Sequence, residues 1–324
     1  MRVGVIGLGM LGGSLAKDLL ACGHKVSGYD PLLSTMHNAR ELGIQTGSKN
    51  LAGAEVIFVA TPYDVSAKEI SRLLKQYPQA IITDLGSLKV PIIDKVNNLI
   101  INTDLDLASA SSRFVPGHPL TGSELAGFEN SRPGLFREHV WALCGQATQP
   151  LHLQPLNKVF RLLREIGALP LFIDPFEHDA AMARYSLTPQ LLASIMAAGT
   201  LQHLTPLISG GAFQDITRVA SSRPAEWRRL LIDGRQNLAS ELRRLQKEID
   251  ETVKALEAGR IDPVTRMMEY GQRGHAELNR LRWSDYNIEK FVIPADWHSL
   301  NALKKPVLEL SRDDTELKIQ VACP

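Results

Sequence analysis

Cysteine is scarce: Cys22, Cys144 and Cys323 are the three in a chain of 324 residues. Their number is odd and no two stand at metal or redox spacing, so neither a disulfide framework nor a thiolate metal site is expected. They read as buried apolar residues of a reducing compartment. An excess of one charge is missing too. Lys and Arg total 36 against 35 Asp and Glu, and a net charge of +1 argues against a nucleic-acid footprint over the whole chain. No apolar run approaches the ~18 residues of a membrane span. The opening "MRVGVIGLG" reads as fold-forming sequence and not as a signal peptide. Repeats and low-complexity segments are absent as well. What remains is a chain with 44% hydrophobic residues, long enough for two domains, each with its own core. The expectation is a cytoplasmic, soluble protein with neither nucleic acid nor membrane as partner.

The first half alternates short β-branched runs with helical patterns, which is the signature of a parallel α/β sheet. Strands are expected at Arg2–Ile6, Lys25–Tyr29, Glu55–Ala60, Ala80–Thr83, Arg113–Val115, His139–Leu143 and Leu169–Ile173. Helices are expected at Leu11–Ala21, Val65–Leu74 and Leu156–Ile166. After Asp174 the β-rich runs stop and a helical region continues to about Arg282. Within it Leu238, Leu242, Leu245, Ile249, Val253 and Leu256 follow steps of three and four, one apolar stripe on a helix. The stripe suits either the domain's own interior or a second subunit. The reading is a doubly wound α/β domain over residues 1–173, an all-α domain over 174–282, and an extension over 283–324. That extension carries Trp283, Tyr286, Phe291 and Trp297 among polar residues and reads as a packing arm without catalytic signal.

"GLGMLG" sets Gly7, Leu8, Gly9, Met10, Leu11 and Gly12 in G-x-G-x-x-G register, directly after an apolar strand and opening a helix. The first glycine permits the tight turn, the second admits a pyrophosphate to the backbone, and the third lets helix pack on strand. The helix N-terminus offers free N–H groups to the phosphates. The second strand ends in Asp30, where a carboxylate bonds ribose hydroxyls and repels a 2′-phosphate. NAD is therefore expected over NADP. "VIFVATP" brings Thr61 and Pro62 to the carboxyl end of a further strand, the edge where such sheets bind ligands. "IITDLGSLK" brings Asp84, Ser87 and Lys89 to the same edge. Ser87 suits either a substrate contact or a helix N-cap; Lys89 reads as a helix-surface residue.

"FVPGHPLTGSELAG", residues 114–127, holds His118 between glycine and proline. Pro116 and Pro119 lack backbone donors and exclude a helix interior or a central strand. "DLGSLK", "GHPLTGSELAG", "EHDAAMA" and "FQDITRVASSRPAEW", in this order and joined to the glycine turn, resemble the prephenate/arogenate dehydrogenase family. The likeness spans about residues 1–235. It implies a Rossmann-type NAD-binding domain, a helical domain that forms a homodimer, and NAD-dependent oxidative decarboxylation of a cyclohexadienol. It makes His118 the base that takes the proton of the ring hydroxyl, a task suited to a group of near-neutral pKa held in a rigid loop. Arg218 matches the substrate-binding arginine, and Trp227 a tryptophan lining the site. Ser123 and Glu124 follow His118, as substrate contacts or as anchors of the loop.

The resemblance also has gaps. Many members carry "SHLPH" where this chain has "SLTPQ", Ser186 to Gln190, so Leu187 and Gln190 replace two histidines. Gln190 both donates and accepts, and suits an amino-bearing substrate side chain as readily as a keto one. His178 and Asp179 read as residues of the domain junction, not as a metal site, because adjacent residues do not share a helix face. Two other readings are a dehydrogenase of the β-hydroxyacid type, for which no lysine stands in the required motif, and a nucleotide-binding regulator. The lost histidines motivate the regulator; His118 and Arg218 oppose it.

Overall fold

The computed structural model describes residues 1–47, 51–103, 105–122, 125–202, 208–280, 287–313 and 315–323. Its first sheet contains β1 (Arg2–Ile6), β2 (Lys25–Tyr29), β3 (Gln45–Thr46), β4 (Val56–Val59), β5 (Ile81–Asp84) and β6 (Phe114–Val115). All pairs are parallel and the order is β3-β2-β1-β4-β5-β6, the Rossmann-type arrangement that reverses beside β1. Central strands lie under helices on both faces, so β4 is buried at every position and its sequence, VIFV, is a continuous apolar run. Packed against the sheet are α1 (Met10–Ala21), α2 (Leu33–Glu41), α3 (Tyr63–Gln76), α4 (Val90–Ile101) and α5 (Leu107–Ser111).

At Pro116 the chain steps from the edge of this sheet into a second one. Here β7 (Gly117–Pro119) pairs antiparallel with β8 (Val140–Cys144), and β8 pairs parallel with β9 (Leu169–Ile173) after α6 (Leu153–Glu165). The stretch around His118 was expected as a loop and is a short edge strand. An edge position tolerates the flanking prolines because one side of the strand needs no ladder donor. Gly117 is required there: a Cβ would lie 2.8 Å from the Trp141 indole nitrogen and 2.9 Å from the Asp84 carbonyl. Trp141 is fully buried between Phe136 and Phe58. Removing its ~150–250 Å² from water is worth ~4–6 kcal/mol, which anchors the strand beside β7.

Asp174 caps the first helix of the following region by accepting from Phe176 N at 2.8 Å, with Pro175 at the first helical position. The helices are α7 (Pro175–Met182), α8 (Thr188–Gly199), α9 (Gly211–Thr217), α10 (Pro224–Asp233), α11 (Arg235–Glu257) and α12 (Ile261–Arg280). A π-turn, Ala183–Leu187, joins α7 to α8. On α11, Leu238 is buried within the chain, whereas Ile249, Val253 and Leu256 are exposed, as are Ile261, Met267 and Met268 on α12. The apolar stripe is therefore covered at its start and open over its second half. Among the described residues no helix is long and apolar enough to cross a membrane.

The tail departs from the expected arm. Strands β10 (Asn287–Pro294), β11 (Val307–Asp313) and β12 (Glu316–Cys323), with α13 (Trp297–Ala302), make an antiparallel sheet in the order β10-β12-β11. Trp297 is buried against Phe172 of β9 and over Gly145, where no Cβ would fit beneath the indole. The tail thus braces the sheet that carries His118. Trp283 and Tyr286 lie outside the described residues.

Candidate active site

A cleft of about 1290 Å³ opens between the carboxyl ends of the first sheet and the helices that follow. From the sheet side it is lined by Leu11, Thr61, Pro62, Ser87 and His118, and from the helical side by Gln190, Arg218 and Trp227. Eight residues singled out from the sequence thus meet in one space. Ser123 and Glu124 lie outside the described residues.

The glycine turn sits beside this cleft and has the shape that a dinucleotide needs. Gly7 has φ of +87°, a Cβ on Gly12 would lie 1.8 Å from the Gly7 carbonyl oxygen, and a Cβ on Gly9 would meet nothing within 4 Å. Gly7 and Gly12 close the turn, and Gly9 leaves open space over it. The N-terminus of α1 has no side-chain cap and no acid in its first turn, so its N–H groups remain available to phosphate oxygens. Leu8 and Met10 have buried side chains and face the turn through backbone alone. Asp30 is buried at the end of β2, where its two oxygens accept from Leu8 N and Leu32 N, each at 2.9 Å. A carboxylate has about four lone-pair sites, so two remain for ribose hydroxyls. The residues present fit a dinucleotide.

His118 stands on β7 with Nδ1 3.0 Å from Nε2 of His178. His178 Nδ1 in turn is 2.8 Å from Oδ1 of Asp179. Burial holds the His118 imidazole well below the ordinary histidine value, and the His178 ring and the Lys89 ammonium push in the same direction. A neutral ring at pH 7 is the state a base requires.

Lys89 is not on the surface. It is fully buried, and its Nζ reaches Asp84 Oδ2 at 2.5 Å and the Gly117 carbonyl at 2.6 Å. Asp84 also accepts from Gly117 N at 3.1 Å and from Gly86 N at 2.9 Å. The ion pair therefore ties the end of β5 to the strand that carries the imidazole. The N-cap role open to Ser87 is filled instead by Asp179. That carboxylate receives Lys89 N at 2.7 Å and Val90 N at 2.9 Å at the start of α4, while Ser87 faces the cleft.

Gln190 is held by its own amide, which donates to the Val219 carbonyl at 2.9 Å. Arg218 lies on the 3-10 turn Arg218–Ser221 at the mouth, and Trp227 on α10 is half-buried beside it. Sequence reasoning passed over Tyr63, Tyr185 and Arg228, which also line the cleft. Burial, aided by the negative charges of Asp233 and Asp179, raises the Tyr63 phenol, so it stays protonated. Tyr185 rides the π-turn, a distortion frequent at functional sites that no local sequence pattern announces. Lys95 on α4 joins Asp233 on α10 at 3.2 Å, a second tie between α4 and the helical region. Among the described residues no group of three or more potential metal ligands is gathered.

The model of the prephenate dehydrogenase nucleotide-binding domain matches residues 15–170, and that of the prephenate dehydrogenase dimerization domain matches residues 174–270. The prephenate dehydrogenase of Bacillus subtilis (strain 168) is 28% identical over 260 residues, 76% of this chain and 67% of the relative. The cyclohexadienyl dehydrogenase of Zymomonas mobilis is 27% identical over 248 residues, 72% of this chain and 80% of the relative. In fold, the prephenate dehydrogenase of Aquifex aeolicus, solved with hydroxyphenyl propionate and NAD+, superposes with a TM-score of 0.75. It is 23% identical and covers 86% of this chain and 98% of its own. The glycine turn precedes the first matched segment and the C-terminal sheet follows the second. With both models matched in order over most of its length, the chain belongs to the prephenate dehydrogenase family of oxidoreductases.

Proposed function

We propose that this protein carries out the NAD-dependent oxidative decarboxylation of prephenate, arogenate or both, as a homodimer. The observation that carries the reading is His118 on the wall of the cleft that begins at the glycine turn and ends at Arg218. Gly7–Gly12 and Asp30 would hold NAD, with Thr61 and Pro62 on the cleft wall between them and His118; when bound it would supply the acceptor for the hydride from the carbinol carbon. His118 accepts the hydroxyl proton, so that carbon becomes a carbonyl. Cleavage of the ring carboxylate as carbon dioxide then sends its electron pair into the ring, and the new phenolate recovers the proton from His118. Atoms and charge balance without a further reagent, and loss of carbon dioxide drives the sequence forward.

Arg218 supplies the fixed guanidinium for a substrate carboxylate, and Trp227 a flat wall. A tight grip on the departing carboxylate would stabilise the ground state and slow its loss, so the role of Arg218 is positioning. Ser87 offers a hydroxyl beside His118. Gln190, with its amide nitrogen engaged, presents its carbonyl oxygen as an acceptor, which favours an ammonium-bearing side chain. The open half of the α11 stripe, with the apolar residues of α12, supplies the surface for the second subunit. The test is initial-rate formation of NADH from NAD, or of NADPH from NADP, by the purified protein with prephenate or arogenate. NAD-dependent turnover of at least one substrate is expected. None with either sinks the reading and leaves a nucleotide binder.

A further inference from the structure

The second histidine beside the base has no part in the chemistry above, yet it is 2% exposed and its neighbour Asp179 is 5% exposed. An ionised carboxylate only accepts hydrogen bonds. Asp179 Oδ1 lies 2.8 Å from His178 Nδ1, so that nitrogen carries a proton. A neutral imidazole has one N–H, which leaves His178 Nε2 bare. The nitrogen 3.0 Å from it, His118 Nδ1, must then be the donor. His118 Nε2 is left with a free lone pair. The opposite order, with His178 Nε2 donating, would require a second proton on a ring that is only 2% exposed.

We infer that His178 and Asp179 are a positioning pair: they fix His118 as its Nδ1–H tautomer and so make Nε2 the proton acceptor. The inference rests on the proposed role of His118 as base. It has a consequence for the domains. Asp179 sits on α7 of the helical region, but two backbone N–H groups at the start of α4, in the nucleotide-binding domain, hold its oxygens. The tautomer is therefore set by the docked arrangement of both domains. When His118 takes a proton, its Nδ1–H still points at His178, and the Asp179 charge lies one ring away. Nothing has to move to Asp179. Among the described residues, the other charged group acting on the ring is Lys89, which is paired with Asp84.

Nitrogen-15 NMR of the histidine rings in the ligand-free protein reads the tautomer directly. Wild type should show His118 protonated at Nδ1 and bare at Nε2. In Asp179→Asn the charge is lost and, in either orientation, the amide NH2 faces a backbone N–H of α4, so the hold on His178 Nδ1–H weakens and His118 should become a mixture of tautomers. Turnover then falls ~100-fold or more, as where the buried Asp of a catalytic triad is made Asn, while the Michaelis constant stays within a few-fold. His178→Gln keeps an acceptor for His118 Nδ1 and should hold kcat within ~10-fold of wild type. His178→Leu has no acceptor and should lose ~100-fold. An Nε2–H tautomer in wild type, an unchanged tautomer in Asp179→Asn, or equal kcat for the Gln and Leu variants overturns the inference. Should Asp179→Asn not fold, the two His178 variants decide it. A wild type inactive on both substrates refutes the proposed function, while the NMR still judges the pair.

Discussion

Replacing Lys89 by Met takes one charge out of a fully buried pair and leaves the other behind. Asp84 keeps its bonds from Gly86 N and Gly117 N, but the Gly117 carbonyl loses its 2.6 Å donor and the carboxylate loses its counter-ion. Breaking a buried pair from one side costs ~3–5 kcal/mol, because an uncompensated charge remains in a low dielectric. With a urea m-value near ~3 kcal/mol/M, the unfolding midpoint should fall by ~1–2 M, followed by circular dichroism. Asp84→Asn combined with Lys89→Met should cost less than the sum of the two single changes, since no lone charge is left. A second readout is local. The Lys89 ammonium helps to hold the His118 imidazole low, so its removal should raise the His118 pKa toward the ordinary 6.5. A midpoint shift below ~0.3 M, under ~1 kcal/mol, would show that the pair is solvated and refute the reasoning.

Three further outcomes follow from the same geometry. Arg218→Ala should raise the Michaelis constant several-fold to ~100-fold with kcat little changed, the loss of one charge-assisted bond; an unchanged constant in steady-state kinetics would remove Arg218 from the substrate. The pH profile of kcat/KM should be flat near neutrality with its acid limb below 6.5, because His118 must be neutral to act and its folded value lies below the ordinary one. The matching stability term is complete above 6.5 and erodes as pH falls from there, since the unfolded chain then takes the proton first; an acid limb at or above pH 7 contradicts both. Trp297→Ala should destabilise the C-terminal sheet by ~3–5 kcal/mol and speed hydrogen exchange over Asn287–Cys323, while slow exchange there would mean that the sheet holds without this anchor.

Several elements were legible because local chemistry decides them. The strands Arg2–Ile6, Lys25–Tyr29 and Leu169–Ile173 stand where the apolar runs put them, since each is bounded by glycine or by a charged turn. The glycine register was legible for the same reason, and the turn it forms has the tight Gly7 and the open Gly9 that the pattern expects. The tail was misread although its signal was present. Leu317, Ile319 and Val321 alternate with Glu316, Lys318 and Gln320, a half-buried strand pattern set among aromatics that follow no period. Lys89 beside a helix start looks solvated until the fold brings Gly117 and Asp84 around it. The rule that adjacent residues diverge on a helix hid the His178–Asp179 pair. Its meaning comes from two partners, His118 and the N-terminus of α4, each far away in the chain. Long-range contacts of this kind leave no periodicity to read.

In the proposed reaction one imidazole in the cleft removes the hydroxyl proton while the carbon that bears the hydroxyl is oxidised. That step is tested most directly by NADH formation in wild type and His118→Asn at pH 7.5, each saturated with NAD and titrated with prephenate and with arogenate. Turnover should fall ~10²–10⁴-fold with little change in substrate affinity, because asparagine fills the space without accepting the proton. Near-normal turnover in the variant would contradict the account.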